Sequence, residues 1–291
     1  MRKRNVSVSL DRVTISGKIE FTDDVLIDMS KLGWHSKNDY FLLDRDLGND
    51  DFENVAGLFR NEYQDTWRLD TSNHFQNSSE KNAVKFIISL MEKDSISFSD
   101  NAHLTRIDVA FDFKNGDKPN MAHNIYRFNT TDKTFSNAVY RGRGKGIETI
   151  YSGARKSGFM IRYYDKLVEQ RRHRKKVDPR IKKWERLEVQ LRGKKTDEWV
   201  ESAVKTLSCF KMPNFENIED LSTRAMIVAL DSGVVQWNEL SKNSKTRYHK
   251  LFESSQGFDT EYADLAVDVF LENVDKIQAE IDEFFEYLNR K

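Results

Sequence analysis

The segment Arg186-Leu-Glu-Val-Gln-Leu-Arg192 decides the fold, because its residues alternate between polar and apolar. Successive side chains of a β-strand point to opposite faces, so the three apolar residues face a core and the four polar residues share the other face. A second segment, Thr105-Arg-Ile-Asp-Val-Ala-Phe-Asp112, repeats the pattern. The two segments predict a sheet that is apolar on one face and carries arginines and carboxylates on the other.

Positive charge is concentrated in one part of the chain. Residues 141–195 carry 19 Lys and Arg against 6 Asp and Glu, although the formal net charge of the whole chain is zero. Such a tract is typical of proteins that bind nucleic acid, because cations neutralise phosphates and release counterions. Cross-strand Arg/Glu pairs are also common on solvated sheets. The alternation alone therefore leaves open the alternative that this face is an ordinary solvated sheet surface.

The remaining pattern predicts an α+β fold: a central, mainly antiparallel sheet with helices packed on one face, followed by a helical C-terminal region. Strands are expected within residues 5–21, 104–113, 135–141, 147–153, 158–165 and 184–192. Residues 39–53 carry six acids and are expected to form a loop. Helices are expected from about Ser79 and from Thr260 to Leu288.

Two regions follow from this pattern. Residues 1–200 are expected to form a sheet-based domain, and residues 201–291 a helical region. Within the latter, residues 222–254 indicate two helices around a turn, as in a helix-turn-helix or winged element.

Composition and spacing exclude several kinds of site. Cys209 is the only cysteine, so no internal disulfide can form, and a cytoplasmic protein without membrane association is expected. The amino-terminal residues show no signal-peptide pattern. No two histidines have metal-ligand spacing, and no Gly-Lys-Ser/Thr phosphate loop occurs.

Four phrases, in order, resemble one known family. They are Leu104-Thr-Arg-Ile-Asp-Val-Ala-Phe-Asp112, Ile147-Glu-Thr-Ile-Tyr-Ser-Gly-Ala-Arg-Lys-Ser157, Met160-Ile-Arg-Tyr-Tyr-Asp-Lys166 and Trp184-Glu-Arg-Leu-Glu-Val-Gln-Leu-Arg192. Together they resemble the replication-initiation-factor family, which contains the Rep initiators of rolling-circle plasmids in Gram-positive bacteria and related relaxases of conjugative elements. The resemblance is clear over about residues 100–200 and weak elsewhere.

The resemblance implies a protein that binds an origin and nicks and rejoins one DNA strand through a tyrosine, with a 5′-phosphotyrosine intermediate. It also implies Mg²⁺ or Mn²⁺ on the central sheet. Asp108 and Glu188 match the acidic positions of the strand motifs and are the expected ligands, with Asp112 as a weaker candidate. Carboxylate oxygens suit these hard cations. The implied partners are a helicase and origin DNA, as duplex and single strand. A homodimer, formed through the last helix, is a further possible assembly.

The tyrosine is where this chain departs from the family. The family's tyrosine follows the Glu-bearing strand, beside a tryptophan, and here that place is taken by Glu198. The tyrosines that could replace it are Tyr151, Tyr163, Tyr164 and Tyr248, and Tyr164 and Tyr151 are the nucleophiles predicted here. Only one of Tyr163 and Tyr164 can face Glu188, because neighbouring strand residues point to opposite faces. The alternatives are an offset alignment or a catalytically silent relative that binds an origin or operator and recruits other proteins.

Basic side chains of the tract and of a predicted C-terminal helix are the expected DNA contacts. They are Arg141, Arg143, Lys145, Arg155, Lys156, Arg162, Arg186, Arg192, Lys245 and Arg247. The glycine-rich turn at 141–146 could follow phosphates or be a solvated hairpin tip, and the C-terminal helix could equally be an ordinary basic surface helix.

Overall fold

The computed structural model describes residues 6–48, 51–61, 65–72, 74–91, 101–115, 126–127, 137–141, 147–153, 157–173, 175–208, 210–213, 215–231, 234–253 and 258–285. The strands are β1 (Val6–Gly17), β2 (Trp34–Lys37), β3 (Tyr40–Gly48), β4 (Asp51–Asn61), β5 (Thr66–Ser72), β6 (His103–Lys114), β7 (Tyr126–Arg127), β8 (Asn137–Arg141), β9 (Ile147–Ser152), β10 (Phe159–Asp165), β11 (Trp184–Arg192), β12 (Phe210–Pro213) and β13 (Phe258–Asp259). The helices are α1 (Asp23–Lys31), α2 (Ser78–Met91), α3 (Lys166–Arg172), α4 (Trp199–Leu207), α5 (Leu221–Asp231), α6 (Lys242–Glu253), α7 (Glu261–Leu271) and α8 (Val274–Phe285).

One large sheet dominates the fold. Its strand order is β2-β3-β4-β5-β1-β6-β11-β10-β9-β8, and the neighbouring strands pair antiparallel. Strands β7, β12 and β13 form a small second sheet. The predicted α+β fold with a central antiparallel sheet is confirmed.

The expected loop at residues 39–53 is wrong, because residues 40–48 form β3 and residues 51–53 begin β4, its antiparallel partner. Asp44 lies opposite Asn54 and Arg45 opposite Glu53. Asn54 donates to the Asp44 carboxylate at 2.9 Å, and Arg45 lies 2.7 Å from Glu53. Cross-strand pairing therefore satisfies Asp44 and Glu53, two of the six acids that made this segment resemble a loop.

The centre of the sheet is the β6–β11 pair. Phe111 lies opposite Leu187, Val109 opposite Val189 and Ile107 opposite Leu191, and none of these six side chains is more than 2% exposed. The alternation read from the sequence thus places one continuous apolar surface on a single side of the sheet.

Helices cover this apolar side, as predicted. In α2, Val84, Ile87, Ile88 and Met91 are buried at helical spacing, and the Asn77 side chain accepts from the Glu80 backbone N–H at 2.9 Å. Helices α4, α7 and α8 contribute to the same core. The opposite face of the central strands carries the polar side chains.

The expected single helix from Thr260 to Leu288 is instead two helices, α7 and α8. The helix is interrupted near Asn273. The side chain of this residue donates to the Val269 carbonyl oxygen at 2.9 Å and so competes with the backbone hydrogen bond of a continuing helix. The break lets Phe270 and Ile277, 0% and 1% exposed, both reach the core.

A second, smaller core lies in the C-terminal part of the chain, between the helices predicted at residues 222–254. Its buried members are Ile218, Ile227, Leu230 and Tyr248. The boundary expected at residue 200 falls inside α4, and α7 and α8 join the core of the large sheet. The division into two regions stays a prediction. Among the described helices, none combines the length and the apolar composition needed to cross a membrane.

Replacing Phe111 by Ala tests the central core. Phe111 is fully buried, with its ring centroid 5.9 Å from that of Phe270, so we expect the free energy of unfolding to fall by about 3–5 kcal/mol. Phe52 is 61% exposed, and Phe52→Ala should change it by less than about 0.5 kcal/mol. Guanidinium titration measures both variants. Equal losses would contradict this assignment of the core.

Candidate functional site

The polar face of the large sheet is formed mainly by β6, β11 and β10. Directly opposed residues there are Arg186 and Asp112, Gln190 and Asp108, and Arg162 and Glu188. Opposed residues of antiparallel strands point to the same side, so these side chains share one surface. Asp108 and Glu188 are only 3% and 5% exposed. The alternative of a solvated sheet decorated with ion pairs therefore does not hold.

Arg106 binds the Asp108 carboxylate with two hydrogen bonds. Its Nε donates to Oδ1 at 2.7 Å and its Nη2 to Oδ2 at 2.5 Å. Gln190 Nε2 adds a third donor to Oδ2, at 3.2 Å. The buried charge of Asp108 is thus paired and hydrogen-bonded, as a buried carboxylate requires.

Glu188 is held by an arginine and a tyrosine of β10. Arg162 Nε donates to Oε2 at 2.8 Å, and the Tyr164 hydroxyl donates to Oε1 at 2.6 Å. Burial raises the pKa of Tyr164, and the charge of Glu188 raises it further. Tyr164 therefore stays protonated at neutral pH. Tyr163 is buried on the opposite side, which confirms that only one of the two tyrosines faces Glu188.

Arg186 lies between two carboxylates on the same face. It donates to both oxygens of Asp112 at 2.8 Å, and its Nη1 donates to Asp11 at 2.8 Å. Trp184 Nε1 also donates to Asp112, at 2.6 Å. Burial alone would lower the pKa of Arg186, but its hydrogen bond to Asp112 and the negative charges of Asp112 and Asp11 outweigh burial and raise the pKa.

Asp11 and Arg12 are site residues that the sequence reasoning missed. The pairing of β1 with β6 shifts between Leu10 and Arg12, which marks a β-bulge at Asp11. A bulge places two consecutive side chains on nearly the same side. The signal was present in the sequence, because the apolar positions change from even numbers, ending at Leu10, to odd numbers, beginning at Val13.

A cavity of about 160 Å³ opens on this face. Its lining residues are Asp11, Arg12, Arg106, Asp108, Tyr151, Met160, Arg162, Glu188 and Gln190. Tyr151 is half-buried and lies opposite Arg162 in the sheet. Gln190 Oε1 is buried and accepts no hydrogen bond from any described residue. An acceptor in this state is usually satisfied by water or by a ligand.

The structure brings together some of the predicted residues and separates others. Asp108, Glu188, Tyr151 and Arg162 line the cavity, while Asp112, Arg186 and Tyr164 lie beside it on the same face. Glu198 is exposed at the N-cap of α4 and does not line the cavity. Two residues earlier, the Thr196 hydroxyl donates to the backbone carbonyls of Leu104 and Gly193.

The predicted DNA contacts are distributed along the chain. Arg192 ends β11 and is half-buried, Arg141 ends β8, and Lys245 and Arg247 lie on α6. Burial, followed by the charge of Arg106, lowers the pKa of Arg192. Four predicted contacts lie outside the described residues: Arg143, Lys145, Arg155 and Lys156.

In this arrangement the carboxylates do not fit a metal ion. Both Asp108 oxygens accept from Arg106, and both Glu188 oxygens accept from Arg162 or Tyr164. A divalent cation beside these guanidinium groups would meet like charge. Within the part of the chain that the structure describes, no group of three His, Cys, Asp or Glu side chains could hold a metal.

Comparison with known proteins agrees with the resemblance seen in the sequence. Residues 102–224, which include β6, β9, β10 and β11, match the family model for replication initiation factor. Over that segment, the chain is similar to the replication initiation factor family. The cavity residues from β6 to β11 lie in this segment, whereas Asp11 and Arg12 lie outside it.

Individual relatives show the same relationship. One replication initiation protein of Staphylococcus aureus is 27% identical over 197 residues, and another is 28% identical over 200 residues. Each match covers 66% of this chain and 57% of the relative, so the chain spans little more than half the length of these curated relatives. A solved rolling circle replication initiator protein from Geobacillus stearothermophilus matches 72% of this chain and 87% of its own, with 14% identity and a TM-score of 0.38, which is too low to support an argument.

Asp11 provides a test of how the face is held together. Burial by itself would raise the pKa of Asp11, but the hydrogen bond with His74 and the charges of Arg186, His74 and Lys166 outweigh it and lower the pKa to about 2. Because the folded pKa lies below the usual 3.8, the ionised carboxylate stabilises the fold above about pH 4 and loses this effect toward pH 2.

We therefore expect Asp11→Asn to lower the free energy of unfolding at pH 7 by on the order of 2 kcal/mol. The difference from the native chain should shrink as the pH falls from about 4 toward 2. Urea unfolding of both proteins at pH 7, 5, 4 and 3 measures it. A difference that does not change with pH would show that Asp11 acts through packing instead of charge.

Proposed function

We propose that this chain is a replication initiator of the rolling-circle type, which binds an origin and nicks and rejoins one DNA strand. The observation that carries the proposal is that Tyr151, Asp108 and Glu188 line the same cavity. All three lie inside the segment that matches the family. The relatives named as replication initiation proteins support the same role. The open polar face, opposite the helices, is the surface on which the DNA would lie.

Arg12 is the residue best placed to bind a phosphate in the cavity. Arg106 and Arg162 are bound to Asp108 and Glu188, whereas Arg12 is exposed and pairs with no carboxylate among the described residues. Arg12 lies opposite Asp108 in the sheet, yet Asp108 is already bound by Arg106. Its guanidinium can therefore donate hydrogen bonds to an incoming phosphodiester without breaking an existing ion pair.

Tyr151 is the better nucleophile of the two predicted tyrosines. It lines the cavity and is half-buried, whereas Tyr164 is 5% exposed and its hydroxyl donates a hydrogen bond to Glu188. In the reaction, the Tyr151 oxygen forms a bond to phosphorus while the bond from phosphorus to the 3′ oxygen breaks. The phenolic proton leaves to a base, and the 3′ oxygen takes up a proton. Rejoining reverses these steps.

Arg162 and Glu188 set the environment of that hydroxyl. Arg162 lies opposite both Tyr151 and Glu188 in the sheet, so its positive charge would offset the charge that develops on the phosphate. Glu188 and Asp108 are the carboxylates in the cavity wall that could accept the proton. In this account Tyr164 is a positioning residue that orients Glu188.

The requirement for Mg²⁺ or Mn²⁺ stays a prediction from the family resemblance, since Asp108, Glu188 and Asp112 are all bound by arginines. No step above depends on it. A helicase partner, a homodimer and a cytoplasmic location likewise stay predictions.

The C-terminal helices provide a second proposed DNA contact. Arg247 is exposed on α6, and its Nη2 donates to the Thr223 hydroxyl on α5 at 2.8 Å. Lys245 is half-buried on the same helix. These cations could follow the DNA backbone and support binding, without reading its sequence.

A catalytically silent DNA-binding relative is the second candidate function. One observation favours it: Glu198 stands where the family has its tyrosine, and it is exposed and outside the cavity. Such a protein would bind an origin or operator and recruit other proteins.

The role of Arg12 can be tested by DNA binding. We expect Arg12→Gln to weaken binding of a 20-nucleotide single strand by about three- to tenfold at 0.1 M salt, and to reduce the slope of log affinity against log salt by about 0.7. Arg60 is a matched control because it is 57% exposed and lies on the helix-covered side of the sheet, opposite Trp67. Arg60→Gln should leave both values unchanged, as measured by fluorescence anisotropy. An equal effect of the two substitutions would rule out a specific phosphate site.

The choice of nucleophile can be tested with a supercoiled plasmid that carries the cognate origin, incubated with and without Mn²⁺. Denaturing electrophoresis should show a covalent DNA adduct that is lost in Tyr151→Phe. The matched variant Tyr164→Phe should retain the adduct, within about tenfold, because it keeps the ring and loses only the hydrogen bonds of the hydroxyl with Glu188 and Lys166.

Two other outcomes would change the conclusion. An adduct that survives in Tyr151→Phe but disappears in Tyr164→Phe would reverse the assignment. Binding without any adduct in the native chain, with an adduct appearing in Glu198→Tyr, would favour the silent relative.

A further inference from the structure

A second and larger cleft lies next to the cavity, with a volume of about 550 Å³. It lies where the Asp11 bulge, the β4 and β5 strands, the start of α2, α3 and the first residues of β11 meet. Asp11 lines both spaces, and Arg186, which binds Asp11, lines the cleft. Its volume falls within the roughly 300–1,000 Å³ that is usual for sites of small organic groups.

The charges of the cleft are already paired. Lys175 and Arg45 both bind Glu53, at 2.6 and 2.7 Å, and Arg186 binds Asp11. A phosphate would have to break these ion pairs. The cleft is therefore less suited to a phosphate than to an uncharged polar group.

Aromatic and amide side chains make the cleft suitable for a nucleobase. Trp184 and Phe75 supply ring surface, and Asn54, Gln76 and Gln170 supply donors and acceptors. Bases stack on aromatic side chains and are read by hydrogen bonds to their edges. Both requirements are met in one cleft.

The aromatic surface of Trp184 is fixed before any ligand arrives. Its Nε1 donates to Asp112 at 2.6 Å, and the Lys114 ammonium lies 4.4 Å from the ring centroid. Lys114 covers one face of the ring, so a base can stack only on the other. A side chain already held in place loses little conformational entropy on binding.

We propose that this cleft binds one unpaired base of the DNA strand whose phosphate lies in the neighbouring cavity. The proposal rests on the proposed function, because it takes the DNA to lie on the polar face. A base inside a duplex is inaccessible to such a cleft, so the strand must present it unstacked. The cleft would then fix which nucleotide lies beside the cavity, a positioning role that the paired arginines do not supply.

Two probes separate base binding from phosphate binding. One is a mixed-sequence 20-nucleotide single strand, and the other is a deoxyribose-phosphate strand of the same length without bases. Trp184→Leu should bind the first about tenfold more weakly, because one stacked base is lost, and should bind the second within about twofold of the native chain. Fluorescence anisotropy at fixed salt gives both affinities.

Trp184→Phe is the matched control, because it keeps a ring but loses the same hydrogen bond to Asp112. It should stay within about threefold of the native chain on both strands. Should Trp184→Leu fail to give a cooperative thermal transition, Gln170→Ala provides the test, with a loss of at least about threefold on the strand with bases alone.

Each remaining outcome is decisive. The base-binding proposal fails if Trp184→Leu weakens both strands equally, if Trp184→Phe is as weak as Trp184→Leu, or if the native chain binds the two strands equally. In that last case the DNA-binding function stands. A native chain that binds neither strand would overturn the proposed function itself.

Discussion

The polar face depends on the pairing of buried charge. Asp108 and Glu188 are almost fully buried, and an arginine lies against each of them. A buried carboxylate without a partner costs several kcal/mol, so removing one member of a pair penalises the one that remains. Arg186 extends the same dependence to Asp112 and Asp11. These side chains therefore form three separate ion-paired groups on one face, around Asp108, Glu188 and Asp112, and each is fixed before DNA arrives.

The sheet holds this arrangement in place. Behind the charged residues, Val109 and Val189 lie opposite each other and are fully buried under the helices. Side chains on packed strands keep their relative positions better than side chains on loops do. The same strands that build the core therefore set the distances between Tyr151, Arg162 and Glu188.

Much of this face could be predicted from alternation alone. The period of two predicted β6 and β11 and the side that each of their residues faces. It also predicted that only one of Tyr163 and Tyr164 can face Glu188, and the structure shows that this residue is Tyr164. Contacts between distant segments could not be predicted, because local pattern carries no information about them. Lys175 binds Glu53 from 122 residues away, and residues 39–53 therefore resembled a loop. Tyr151 lines the cavity because the pairing of β9 with β10 places it opposite Arg162, and this register could not be predicted from the sequence. The bulge at Asp11 could be predicted only in part. The apolar residues of β1 change from even to odd positions there, but the sequence does not show that Asp11 binds Arg186 and His74.

The balance of charge around the cavity separates affinity from positioning. Three arginines and three carboxylates line it, so the cavity itself attracts DNA only weakly. Phosphate contacts elsewhere, in the basic tract and on α6, would supply most of the affinity, and the cavity would set the position of one phosphate. Substitutions of Arg106 or Arg162 cannot distinguish DNA affinity from DNA positioning, because each also leaves a buried carboxylate without its ion-pair partner. Arg12 can, since it pairs with no described carboxylate: its loss should alter the placement of DNA while the fold remains intact.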